Sequence, residues 1–171
     1  MRRKKEISLS IYSSSFGFFS HIGGKEVQEE CQRYLETKPQ KQLDVGELYY
    51  SSSGTLKFKM VAHIPGKKWV DKPEISEKER KLFIKMVITS LAECGKKKYE
   101  SVVIPALCSG NNEYPIKIST LWIVEAINEF LKTNGKQTSI RNIYLCDINR
   151  VAVDGFVNTL GKYFALVYNR P

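Results

Sequence analysis

No stretch of this chain stays apolar for the roughly 18 to 20 residues that crossing a bilayer requires. Its basic opening, Met1-Arg2-Arg3-Lys4-Lys5, runs into a short alternating segment and not into the apolar core of a secretory leader. Neither a membrane span nor an export signal is expected, and no membrane partner. Histidine occurs only twice and cysteine four times, and Cys31, Cys94, Cys108 and Cys146 form no C-x-x-C pair. That spacing lacks the ligand pairs of common zinc sites, and four distant cysteines do not make the disulfide framework of a small secreted fold. Reduced thiols in an intracellular protein, cytoplasmic or nuclear, are the expectation, with no metal site and no cofactor. No internal repeat or linker divides the 171 residues. A single domain over 1–171 is predicted, long enough to bury a core without staples.

Acidic residues are the scarcer charge: 18 Asp and Glu against 27 Lys and Arg leave a net charge of +9. Such a surplus steers a protein toward phosphate-bearing partners and says nothing about fold. The cluster Lys96-Lys97-Lys98 is the candidate polyanion-binding segment, with Lys67-Lys68 and the basic start beside it. Trp69, Tyr99, Tyr49, Tyr50 and Phe58 lie next to these lysines or in the neighbouring hairpin, the mixture of stacking faces and cations that RNA or another single-stranded polyanion uses. The competing reading is a solvated surface.

Periodicity orders the elements. Residues 7–12 alternate apolar and polar as a half-buried strand does, and 25–36 place Val27, Cys31, Tyr34 and Leu35 at helical spacing before Pro39. Residues 45–51 and 56–64 read as an antiparallel hairpin around Ser52-Ser53-Gly54-Thr55. Ser76-Glu77-Lys78-Glu79 has the form of a capping box, and Phe83, Met86, Val87, Ser90, Leu91 and Cys94 make one helix face that Gly95 is expected to end. The apolar run 101–107 predicts a central strand covered on both faces. Pro115 opens a helix to about 132 that Asn134-Gly135 closes. A strand at 140–146, a helix from 149 to about 162 and a last strand at 163–168 complete an alternating pattern. That pattern argues for a three-layer α/β/α domain around a mixed central sheet.

Two junctions between a strand and a helix carry glycine. Pro105 to Pro115 contains Cys108-Ser109-Gly110-Asn111-Asn112-Glu113-Tyr114, and His21-Ile22-Gly23-Gly24 leads into the helix at Lys25. A helix start offers unpaired N–H groups and partial positive charge, and glycine lets the backbone approach a phosphate. Gly23, Gly24, Cys108, Ser109, Gly110, Asn111, Asn112, Glu113 and Tyr114 are therefore the candidate ligand-binding residues, suited to a pyrophosphate. Cys108 also invites a nucleophile reading with His63 as base. Nothing in the sequence brings the two together, so no catalytic residue is assigned.

These same stretches resemble the macro domains that bind ADP-ribose. Gly23-Gly24 with the helix to Cys31, Gly46-Glu47 leading to Ala62-His63-Ile64-Pro65-Gly66 and Trp69, and Ile104-Pro105-Ala106-Leu107-Cys108-Ser109-Gly110 through Tyr114-Pro115 follow the family's order and spacing, from about 23 to 156. The resemblance implies a macro-like fold, here a domain excised from or related to a larger polypeptide, with an ADP-ribose cleft at the strand ends. It implies ADP-ribose or an ADP-ribosylated protein as partner, and poly(ADP-ribose) or RNA as a further one. Leu9 stands where the family has an adenine-binding Asp, and Ser13 and Phe16 where it has asparagines near the distal ribose. Asn112 stands at an aromatic position and Glu113 at a glycine position, where its charge opposes a pyrophosphate unless Lys117 offsets it. These departures favour a non-catalytic binding module over its alternatives, an ADP-ribosyl hydrolase and a degenerate macro fold kept for protein contacts.

Overall fold

The computed structural model describes residues 9–12, 24–44, 46–69 and 77–164. Five strands, β1 (Leu9–Tyr12), β2 (Tyr49–Ser51), β3 (Met60–His63), β4 (Ser101–Ile104) and β5 (Asn142–Leu145), form one sheet in the order β2-β3-β1-β4-β5. β1 runs parallel to β3 and β4, and β4 parallel to β5, while β2 is antiparallel to β3 with Tyr50 opposite Ala62. Among the described residues four helices accompany them: α1 (Lys25–Glu36), α2 (Glu77–Lys96), α3 (Ile116–Asn134) and α4 (Arg150–Tyr163).

The two-residue period of a strand separates the core into faces. Met60 and Ala62 of β3 and Val102 and Ile104 of β4 join one apolar cluster with Phe83, Leu91, Trp122, Ile123, Phe130 and Phe156 from α2, α3 and α4. Their neighbours Val61, His63 and Val103 are equally buried yet lie outside that cluster. His63 instead meets Cys31 of α1, Nε2 to Sγ 3.9 Å, so α1 covers the opposite face. The expected three layers around a mixed sheet are present. All eight residues of β3 and β4 are buried, which is why the second of these strands reads as an unbroken apolar run.

Several boundaries differ from the sequence reading. β2 and β3 are joined by residues 52–59, not by a four-residue turn. Ser53 Oγ donates to the carbonyls of Leu56 and Phe58, stabilising a wider loop. β4 stops at Ile104, since Pro105 has no N–H to continue a ladder. Gly95 does not end α2. The left-handed residue is Lys98 (φ 55°), and Tyr99 N–H bonds Cys94 O while Lys98 N–H bonds Gly95 O, both at 3.0 Å. That is a Schellman end carried by a lysine. Tyr163 is the last residue of α4 and not the start of a strand. The capping serine Ser76, the loop 13–23 and the segment 165–168 lie outside the described residues.

Candidate functional site

The chain after β1 turns to β2 and β3 on one side and later to β4 and β5 on the other. Ligands of open α/β sheets bind outside the carboxyl ends of the strands at such a switch point. The described segments leaving those ends are 64–69 after β3, 105–115 after β4 and 146–149 after β5.

The middle segment is held in shape from every side. Tyr114 N–H bonds Cys108 O at 3.0 Å, closing a loop over 108–114, and inside it Glu113 N–H bonds Gly110 O at 2.7 Å. Ser109 donates through both N–H and Oγ to Ala106 O, and Ser119 Oγ of α3 donates to Leu107 O. Trp69 N–H reaches Asn112 O at 2.6 Å, tying in the segment after β3. Gly66 packs so closely that a Cβ there would lie 2.5 Å from both Asn112 Nδ2 and Cys108 Sγ. Asp147 ties in the segment after β5: Oδ2 accepts from Ala106 N–H at 3.0 Å and Oδ1 from Asn149 N–H at 2.9 Å. Asn149 in turn caps α4, its Oδ1 accepting from Val151 N–H.

This bracing leaves the tip of the loop outward. Gly110, Asn111 and Glu113 are exposed and Ser109 and Asn112 half-buried, whereas Cys108 and Tyr114 turn their side chains into the core. Among the described residues, the N–H groups of Gly110 and Asn112 donate no hydrogen bond, and Pro115 gives α3 no side-chain cap. The loop therefore presents backbone donors at a helix start, the local chemistry of an anion site. A Cβ on Gly110 would meet nothing within 4 Å. Gly24 caps α1 at φ 87°, a left-handed value that suits glycine. Gly23 lies outside the described residues.

Charge around the loop differs from the sequence expectation. Lys117 does not pair with Glu113. Lys68 does, Nζ to Oε1 3.1 Å, with both groups more than half exposed. Glu113 also adopts φ 58°, a conformation that glycine takes without steric cost, which explains why the resemblance has glycine at this position. Cys108 shares that region at φ 63°.

The remaining candidates fall elsewhere. His63 is 7% exposed and stacks on Tyr49, and its Nε2 lies 2.8 Å from Ser51 Oγ, a hydroxyl that also reaches Ser52 O. Burial pushes its pKa down to about 4. Burial likewise pushes the Cys31 thiol up to about 11. This is a packed polar cluster beneath α1. Lys96 and Lys97 pair with Glu93 at 3.6 and 3.9 Å, and Lys98 follows the end of α2, ahead of β4, whereas the loop follows that strand's other end. Leu9 lies in β1 at the register of Met60 and Val102. Ser13 and Phe16 are outside the described residues. Sequence reasoning missed Gly66, Asp147 and Lys68. Each carried a partial signal: Gly66 lies in the stretch that resembles the macro domains, Lys68 in a basic cluster, and Asp147 stands two residues before an Asn at a helix start.

A family model described as Macro domain matches residues 16–123. The human protein mono-ADP-ribosyltransferase PARP14 is 28% identical over 158 residues, which are 91% of this chain and 8% of that protein. An uncharacterized protein of Thermotoga maritima is 28% identical over 133 residues, 78% of this chain and 21% of the other. The chain thus spans a small part of either relative. Among solved structures, the Oceanobacillus iheyensis macrodomain with ADP superposes with a TM-score of 0.76 at 19% identity, covering 93% of this chain and 85% of that one. The Trypanosoma brucei macrodomain in complex with ADP-ribose gives 0.72 at 14% identity, covering 91% and 64%. With a family match over more than half its length and the same fold in both structures, this chain belongs to the macro domain family.

Proposed function

We propose that this domain is a non-catalytic reader that holds ADP-ribose, free or attached to a protein, with the pyrophosphate on the tip of the 108–114 loop. The observation that carries this reading is the pair of N–H groups at Gly110 and Asn112. They have no acceptor among the described residues, on a loop braced by three neighbouring segments at the strand ends. A pyrophosphate supplies acceptors of the right charge, and the Trypanosoma brucei relative is a complex with that ligand.

The same surroundings argue for binding without hydrolysis. Asp147 has an N–H on each oxygen, Glu113 is paired with Lys68, and His63 is held neutral under α1. None of these groups is placed to activate a water at the loop. Ser13 and Phe16 stand where the family has asparagines.

Calorimetric titration with ADP-ribose tests the reading. The wild-type protein is expected to bind, and Gly110→Val to abolish binding with an unchanged far-UV spectrum, because its side chain enters open space over the loop. Incubation with a mono-ADP-ribosylated protein should release no ADP-ribose above the no-enzyme rate. Release that a cleft substitution abolishes would make the domain a hydrolase. Absence of any binding would leave the protein-contact reading in its place.

A further inference from the structure

The buried side of the same loop borders a separate cavity of about 140 Å³, between the segment after β3 and the first turns of α2. Its apolar wall is Leu82, Phe83 and Met86, and Cys108 and Tyr114, the two ends of the loop, form another side. The volume is close to that of a cavity known to take one benzene ring. A methionine beside aromatic rings favours such an occupant further. Tyr114 is 8% exposed, yet its hydroxyl makes no hydrogen bond among the described residues and is not sealed from solvent. Burial, chiefly, together with the neighbouring Cys108 and Glu79, pushes the phenol pKa up to about 12, so it stays protonated and can act as a donor. Lys67 and Lys78, also in the lining, are exposed and carry no ion pair among the described residues, whereas Glu79 opposes an anion.

We propose that this cavity is a second ligand site, for a single-ring aromatic carboxylate whose ring packs on Phe83 and Met86 and whose carboxylate accepts from Tyr114. Lys67 and Lys78 supply the positive charge that outweighs Glu79. The site lies across the loop from the tip assigned to the pyrophosphate, so neither ligand needs the other.

Benzoate is the probe, and the two tryptophans report its binding. Trp69 and Trp122 both meet the Tyr114 ring edge-on, at 5.0 and 6.0 Å between centroids. Saturable fluorescence change with benzoate is expected, and no saturation with acetate, which lacks the ring. Tyr114→Phe keeps the ring and should weaken benzoate roughly tenfold or more, the loss of a hydrogen bond to a charged acceptor. Leu82→Phe should fill the cavity and abolish binding. Gly110→Val should bind benzoate like the parent, which separates failure of this site from failure of the ADP-ribose reading. No saturation with benzoate, competition by ADP-ribose for benzoate, or Tyr114→Phe binding within twofold of wild type would each overturn the proposal. The Tyr114→Phe and competition arms hold even where Leu82→Phe does not fold.

Discussion

Glu113 places a carboxylate and a strained backbone where a bound pyrophosphate would lie, and the two effects can be separated. Its φ of 58° costs an ordinary residue roughly 1 kcal/mol, which Glu113→Gly removes. The gain is offset by the larger conformational freedom of glycine in the unfolded chain, also about 1 kcal/mol at most. Loss of the exposed Lys68 pair subtracts less than about 1 kcal/mol. The net change in stability is therefore small. Affinity should respond more. A carboxylate about 6 Å from a phosphate charge in a water-like dielectric costs about 0.7 kcal/mol, and about 1.4 kcal/mol against two charges. Removing it also frees Lys68 to face the ligand. We expect ADP-ribose to bind about tenfold more tightly to Glu113→Gly at low ionic strength. Glu113→Gln should show most of the same gain, because it removes the charge and keeps the left-handed side chain. Raising salt should shrink both gains as screening shortens the reach of the carboxylate. Calorimetric titration of the three proteins at low and high salt decides the matter. Dissociation constants within twofold of wild type for both variants at low salt would place the phosphates away from this loop.

His63 titrates at about 4 in the folded protein and at 6.5 when unfolded. The unfolded chain then binds the extra proton between those values, and stability should rise with pH across that window by up to about 3 kcal/mol. Urea melts from pH 4 to 6.5 should show this rise, and His63→Gln should flatten it; equal slopes would remove His63 as the cause. Gly66→Ala pushes a methyl against Cys108 Sγ and Asn112 Nδ2, and overpacking of this kind should cost about 1–3 kcal/mol, read as a lower thermal midpoint. Replacing Lys96, Lys97 and Lys98 together with Gln should lower the salt dependence of poly(ADP-ribose) binding by a slope of about 0.7 for each phosphate that is no longer neutralised. It should leave free ADP-ribose unaffected; unchanged binding of both ligands would confine these lysines to the end of α2.

The order of strands and helices was legible because each element shows one period clearly. The α2 face from Phe83 to Cys94 is buried as its spacing requires, and the run Ser101–Ile104 is covered on both sides. Ends were harder. Glycine marks a helix terminus only when its backbone freedom is needed there, and at the end of α2 the left-handed position falls on Lys98, three residues beyond Gly95. The connection between β2 and β3 is longer than the serine-rich turn suggests because Ser53 bonds two backbone carbonyls, of Leu56 and Phe58, in a wider loop. At the site, the loop 108–114 could be found from glycine beside a helix start. Two of the contacts that brace it join residues about 40 positions apart, Ala106 with Asp147 and Trp69 with Asn112. No local pattern encodes such pairs.

Those long-range contacts bear on how the loop would bind. Its shape rests on bonds to Trp69, Asp147 and Ser119 and on the close approach of Gly66, none of which involves a ligand. The conformational entropy of the loop is thus lost on folding, and binding need not order it again, which favours affinity without any added interaction. Perturbing a support therefore acts twice, lowering stability and restoring disorder that a ligand would have to remove. Perturbing the tip acts once. Gly66→Ala should weaken both folding and ADP-ribose binding, whereas Gly110→Val should leave folding intact and remove binding alone. That contrast separates a loop organised by the fold from one organised by its ligand.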